Sequence, residues 1–266
     1  MTVDDILSGL QNRTIGRQLH IYDQLNSTND LALQRGIDGA QEGTLILAES
    51  QTQGRGRHGR RWLAPPKSRI LASVILRHRL RAGQVGLPNL IGAVAIVTAI
   101  HELTDLPAQI KWPNDVLIQG KKVSGVLTEL EYDRGRQPFF VMGFGVNVNT
   151  KQGDLPEELR DSATSLRIEC NREISRVAFL QAILHRLEEN YLRLKCGDTD
   201  PIIATANRAL YFSGDWIQIQ MADGVFRGQT EVIDQDGGLL LRDMSGKQRK
   251  FLVGEVVQTG QGTSKN

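Results

Sequence analysis

Apolar residues recur along this chain with two different periods, and the switch between them marks its organisation. From 175 to 194 the apolar side chains Val177, Phe179, Leu180, Ile183, Leu184, Leu187, Tyr191 and Leu194 fall at helical spacing, with Ser175 where a cap belongs. A second helix is expected over 85–103, where the chain is apolar and alanine-rich on every side, the pattern of a buried helix; Pro107 follows it. Shorter helices are expected over 30–35, behind the cap residues Ser27, Thr28, Asn29 and Asp30, and over 201–210. Runs of branched residues predict strands over 44–50, 70–76, 116–118, 123–131 and 139–148, with Gly120, Lys121 and Lys122 at a hairpin tip. Residues 153–165 are polar and read as irregular. From Gly214 onward short alternating segments are separated by Asp-Gly, Gly-Gly and Ser-Gly turns. The chain therefore reads as α+β: a mixed sheet with helices over 1–210, then a small β-barrel over 211–266 whose last seven residues form a disordered tail.

Composition narrows the class without naming a function. Hydrophobic residues at 40% and charged ones at 23% are ordinary for a soluble globular protein. No apolar run reaches the roughly 20 residues of a membrane span, and the start, MTVDDILSGLQNR, is acidic where a secretory signal would be basic. Without such a signal the sequon at Asn26 is idle. Cys170 and Cys196 have neither metal nor redox spacing, so a reducing cytoplasm is expected. His20, His58, His78, His101 and His185 are scattered, so no metal ligands are expected from the protein.

Charge changes the picture. The whole chain carries only +2, yet from Ser50 to His101 there is no Asp or Glu while Arg and Lys occur nine times. At the head of that span lies QTQGRGRHGRRW, Gln51 to Trp62, in which Arg55, Arg57, Arg60 and Arg61 alternate with Gly54, Gly56 and Gly59. Glycine permits close backbone approach and arginine presents a fork of donors to anions, so the segment reads as a mobile loop that closes over an anion. A solvated turn or an RGG-like nucleic-acid segment shares that composition. Lys111-Trp112-Pro113-Asn114-Asp115 with Lys122 reads either as a loop ending in an Asn-Asp turn or as a pocket in which a hairpin sets two ammonium groups on adjoining strands, favouring an anion between them. Gly143, Gly145 and Asn147 share a strand; glycine there suits a close ligand or a bulge, and an amide can read a heteroaromatic edge. Neither a Walker A loop nor a GxGxxG fingerprint is present.

Taken in order, Ser27-Thr28-Asn29, the GRGRHGR loop from Gly54 to Arg60, Lys111 to Asp115 followed by Lys122 and the Gly125 to Glu129 strand, and Gly143 to Asn147 resemble the signatures of biotin–protein ligases. The likeness spans about residues 20–255, and the joint occurrence of the loop and KWPND is highly specific. The resemblance implies a class II synthetase-like biotin/lipoate ligase catalytic domain with an SH3-like C-terminal barrel. It implies ATP and biotin as substrates, Mg²⁺ carried with ATP, and a biotinyl-5′-AMP intermediate. The acceptor would be a lysine of a biotin carboxyl carrier protein, such as an acetyl-CoA carboxylase subunit. The DNA-binding domain of some members is missing ahead of residue 20, so a monofunctional enzyme, monomeric or homodimeric, is expected, with no DNA or membrane partner.

By the same resemblance, Ser27, Thr28, Asn29, Gln51 and the backbone of Gly54, Arg55, Gly56 and Arg57 would bind the biotin head group, with Gly125, Gly143 and Gly145 as a wall. Lys122 would hold the biotin carboxylate and later the α-phosphate. Arg55, Arg57 and Lys111 would screen charge, and Asp115 would orient the acceptor lysine. Arg57, Arg60, Trp62, Asn114 and Asn147 would face the nucleotide, Trp62 covering the adenine side. A lipoate ligase of related fold and a nucleic-acid-binding protein are the rival readings. Against the second, the barrel segment balances its basic residues with seven acidic ones between Asp215 and Glu255.

Overall fold

The computed structural model describes residues 1–59, 62, 67–81, 83–222 and 224–258, leaving aside the side chains of His58 and Gln258. The expected position of Arg60 and the expected disorder of the last seven residues lie outside the described residues. A short helix α1, Val3–Leu7, is followed by strand β1, Leu19–Leu25, helix α2, Thr28–Ile37, and strands β2, Leu45–Gln51, and β3, Arg69–Leu76. Helix α3, Leu87–Thr104, leads into β4, Ala108–Lys111, β5, Asp115–Ile118, β6, Lys121–Tyr132, and β7, Pro138–Asn147. Helices α4, Leu166–Cys170, α5, Arg176–Cys196, and α6, Asp200–Arg208, precede β8, Trp216–Met221, β9, Gly224–Ile233, β10, Leu239–Arg242, β11, Gln248–Phe251, and β12, Glu255–Gln258.

The first seven strands form one sheet in the order β1-β2-β3-β7-β6-β5-β4, parallel between β1 and β2 and antiparallel elsewhere. The last five form an antiparallel sheet, β11-β10-β9-β8-β12. The mixed sheet with helices and the five-stranded C-terminal unit both match the expectation. Helix α3 is long and apolar enough to span a membrane by length and composition, but most of it is buried in the core, against α5 and the sheet.

Four elements were not expected, the five-residue helix α4 among them. β1 is an edge strand whose side chains, LHIYDQL, are half-buried or exposed throughout, so the apolar alternation that marks a half-buried strand is blurred. β4 is four residues long and holds Lys111; β5 lies between it and β6, which holds Lys122, so the two lysines are not on adjoining strands as expected. α1 is a five-residue helix closed by a Thr2–Asp5 capping box. Another difference concerns Lys122: the turn is made by Gln119 and Gly120, at φ 51° and 77°, so Lys122 lies within β6 rather than at the hairpin tip. Of the expected cap residues it is Ser27 that caps α2, accepting from Asp30 N at 3.4 Å, so the helix starts at Thr28, two residues earlier than expected.

Candidate active site

One cavity of about 440 Å³ runs over the face of the seven-stranded sheet, a volume suited to a small-molecule site. It is lined along β3 and β7, by β5 and β6, by the N-terminus of α2, and by the C-terminal segment through Tyr211, Phe212, Glu255 and Val256. At one end hydroxyl and amide groups bond one another, with the Glu129 carboxylate behind them. The backbone N–H of Thr28 donates to Gln51 Oε1 at 2.6 Å. Ser73 Oγ lies 2.6 Å from Asn29 Oδ1 and 2.7 Å from Thr28 Oγ1, and Asn29 Nδ2 donates to Glu129 Oε2 at 2.7 Å. With Ser27, Thr28, Asn29 and Ser73 all buried, this end presents fixed donors and acceptors rather than charge.

The middle holds the cations. Lys122 Nζ pairs with Asp115 Oδ1 at 2.7 Å and sits 5.4 Å from the Trp62 ring centroid. Asn114 locks this region: its Nδ2 donates to the Val126 carbonyl at 3.0 Å and to Asp115 at 3.1 Å, while its Oδ1 accepts from Arg57 Nη1 at 3.0 Å. Arg57 Nη2 reaches the Gly254 carbonyl at 3.2 Å, joining the loop to the C-terminal unit. Lys111 lines the same space and makes no ion pair among the described residues. At the far end Arg69 and Asn147 pair across β3 and β7, both buried.

Ser27, Thr28, Asn29, Gln51, Arg55, Gly56, Arg57, Trp62, Lys111, Asn114, Asp115, Lys122, Gly125, Gly143, Gly145 and Asn147 all line this one cavity. Gly54 does not: it is buried under the loop, its carbonyl accepting from Trp62 N at 2.9 Å, so its place is in the loop's own hydrogen bonding. Arg55 differs from the expected open cation. The sequence has no acid nearby, but the fold brings Asp30 to 2.5 Å and Glu129 to 2.9 Å from Arg55 Nη2. The glycines have reasons inside the protein. A β-carbon at 143 would lie 1.9 Å from Asn29 Oδ1, and one at 145 would lie 2.5 Å from the Trp62 ring, so each is kept small by a neighbouring site residue.

Sequence reasoning missed Arg69, Ser73 and Glu129. Ser73 carried a signal, being the one polar residue inside ILASVIL, and Arg69 carried another as an arginine directly ahead of that apolar strand. Tyr211, Phe212, Glu255 and Val256 carried none, because only the tertiary fold brings them to the cavity.

A family model described as the biotin/lipoate A/B protein ligase family matches residues 21–147. The chain is 35% identical over 251 residues to the bifunctional ligase/repressor BirA of Bacillus subtilis, covering 94% of this chain and 77% of that protein. It is 34% identical over 248 residues to the biotin–[acetyl-CoA-carboxylase] ligase of Mycobacterium tuberculosis, covering 91% and 89% respectively. Among solved structures, the biotin protein ligase from Aquifex aeolicus in complex with biotin and ATP aligns with a TM-score of 0.79 at 29% identity, covering 91% of this chain and 98% of that one.

Proposed function

The chain belongs to the biotin–protein ligases of the biotin/lipoate protein ligase family, and from that premise we propose how its own residues carry out the reaction. The enzyme activates biotin with ATP to biotinyl-5′-AMP and transfers the biotinyl group to a carrier lysine. The observation that supports our assignment of roles is the order of chemistry along the cavity: a neutral hydrogen-bonding end, a cationic middle, and an amide with a free acceptor at the far end. Biotin, ribose and adenine bracket a carboxylate and phosphates in the same order.

In the first step an oxygen of the biotin carboxylate bonds to the α-phosphorus, and the bond from that phosphorus to pyrophosphate breaks. Two anions must meet, so fixed cations supply most of the rate. Lys122 stands at that point, oriented by its partner Asp115 at 2.7 Å; Lys111 and Arg57 screen the remaining phosphates. Mg²⁺ would travel with the triphosphate. Among the described residues no group of three or more His, Cys, Asp or Glu is placed to hold a metal, and Asp115 is committed to Lys122.

The neutral end would hold the biotin head group through Thr28, Gln51 and the backbone of the Arg55–Arg57 segment. Asn29, held by Ser73 and Glu129, would set the shape of that end. Trp62 would cover the adenine, and the free Oδ1 of Asn147 would accept from its 6-amino group. In the second step the carrier lysine's amine attacks the biotinyl carbonyl, the bond to AMP breaks, and the amine gives up a proton. Asp115 would orient the incoming amine once Lys122 has moved to the phosphate.

On this reading residues 1–210 are the catalytic part and 211–266 a barrel that helps close the site. The acceptor would be the biotin carboxyl carrier of a carboxylase. The two unpaired cysteines, Cys170 and Cys196, suit a reducing compartment. The test is labelling of a purified carrier domain by the purified protein, dependent on both biotin and ATP, with lipoate as the competing substrate. Preferential lipoate transfer, or labelling without ATP, would overturn the assignment.

A further inference from the structure

The far end of the cavity contains a buried cation that the roles above leave unused. Arg69 is 5% exposed and lines the cavity. Its Nε donates to Thr150 Oγ1 at 3.1 Å; among the described residues nothing accepts from its η nitrogens, and no carboxylate pairs with it. The η nitrogens are not among the buried unpartnered atoms, so they keep access to the cavity, where a ligand can accept from them. Burial pulls its pKa down to about 10, with Asp154 acting in the opposite sense, so it stays protonated at neutral pH.

Asn147 stands directly opposite Arg69 in the β3–β7 ladder, so the two side chains leave the sheet on the same face. Its Nδ2 donates to the Thr164 carbonyl at 2.8 Å. A carbonyl only accepts, so the amide cannot flip, and Oδ1 is the atom left buried with no partner. Arg69 and Asn147 both line the cavity at 5% and 4% exposure, so this is a recessed part of it.

The cavity thus offers a fixed acceptor next to fixed donors. A phosphate carries acceptors on every face and would meet repulsion at Asn147 Oδ1. A base with a donor and an acceptor side by side matches both. Adenine has that pair in its 6-amino group and N1, on the edge farthest from the sugar, the edge that enters a recess first. Hypoxanthine reverses both, with a carbonyl oxygen at position 6 and an N–H at position 1.

We propose that Arg69 and Asn147 form the base-reading pair of this ligase, Arg69 donating to N1 and Asn147 accepting from the 6-amino group, and that the pair sets the preference for ATP over 6-oxo nucleotides. The proposal rests on the reading of the cavity as a biotin and ATP site. It adds a residue with no part in the charge-screening middle.

The experiment is biotin-dependent pyrophosphate exchange with ATP, ITP and 1-deaza-ATP, for the full-length wild type and for Arg69→Met, with biotin binding followed by calorimetry. In the wild type 1-deaza-ATP should show a KM about tenfold above that of ATP, the loss of one charge-assisted contact. Arg69→Met should raise the KM for ATP by a similar factor, treat 1-deaza-ATP like ATP, and narrow the gap between ATP and ITP, while biotin binding without nucleotide stays unchanged. Equal losses for ATP and ITP in the variant would assign Arg69 to the triphosphate and overturn the proposal. So would a wild type that uses 1-deaza-ATP as well as ATP, a comparison that stands even if Arg69→Met fails to fold. Absence of any biotin-dependent exchange by the wild type with ATP would instead remove the underlying reading.

Discussion

Asn29 occupies the space that a side chain on residue 143 would need: a β-carbon built on Gly143 would lie 1.9 Å from Asn29 Oδ1. Asn29 cannot move away freely, because Ser73 and Glu129 hold its two amide atoms at 2.6 and 2.7 Å. Gly143→Ala should therefore displace Asn29, break both contacts and deform the neutral end of the cavity. The expected outcome is biotin affinity lowered at least about tenfold with a stability loss of about 1–3 kcal/mol. Calorimetric titration with biotin and thermal melting check it; unchanged affinity in a folded variant would mean that Asn29 does not shape the head-group pocket.

Much of the site was legible because its parts lie in short local motifs whose chemistry is unusual for packing. Ser27 to Asn29, Arg55 to Arg57, Lys111 to Asp115 and Gly143 to Asn147 each announced themselves in a few residues, and each segment contributes to one cavity. What was not legible came from distance in sequence. Nothing near Arg55 suggested that Asp30 and Glu129 would neutralise it, and nothing near Arg57 suggested a bond to the Gly254 carbonyl. The glycines were read as admitting a close ligand or a bulge; Gly143 and Gly145 both line the cavity, and they also make room for Asn29 and Trp62. Strong periodicity placed α5, and a long run apolar on every side placed α3. β1 and β4 escaped because an edge strand with exposed faces and a four-residue strand carry too little pattern.

Lys122→Met should impair adenylate formation far more than folding. The ammonium is about one-third exposed and pairs with Asp115, so its loss removes a modest contact from the fold but the central cation from the reaction. The expected fall in kcat for biotin-dependent pyrophosphate release is about a hundredfold or more. A folded variant with near-normal release would exclude Lys122 from the phosphate site.

Acid should unfold the protein partly through Glu49. Burial alone would raise its carboxyl, but the hydrogen bonds and charge of Arg176, whose Nη1 lies at 2.6 Å, outweigh that and hold it below the ordinary 4.5. A depressed carboxylate contributes stability that is full above its unfolded value and fades as pH falls through the folded one. In urea denaturation the contribution should be complete above about pH 5 and decline below the ordinary carboxylate range. Arg176→Leu should cost about 2–3 kcal/mol at neutral pH, because it leaves the buried carboxylate with only the Met1 ammonium at 3.5 Å, and the deficit should shrink as Glu49 protonates. A deficit independent of pH would show that Arg176 acts by packing instead.

Arg57→Gly should make the enzyme release its intermediate. In the fold Arg57 is no free loop cation: it ties the loop to Asn114 in the middle of the cavity at 3.0 Å and to the Gly254 carbonyl of the C-terminal unit at 3.2 Å. Glycine deletes both ties and adds backbone freedom at the same position. The loop and the C-terminal segment then lose a shared clasp over the site, and biotinyl-5′-AMP, a mixed anhydride that needs shelter from water, escapes more readily. Free adenylate acylates exposed amines without regard to sequence, so a bystander such as albumin should become biotinylated by the variant and hardly at all by the wild type. Asn114→Ala removes only one of the two ties and should leak less than Arg57→Gly. The measurement is a streptavidin blot of albumin incubated with ATP, biotin and each protein, alongside pyrophosphate release to show that adenylate still forms. If Arg57→Gly forms adenylate at the wild-type rate yet labels albumin no more than wild type does, the bridge from Asn114 through Arg57 to Gly254 does not retain the intermediate.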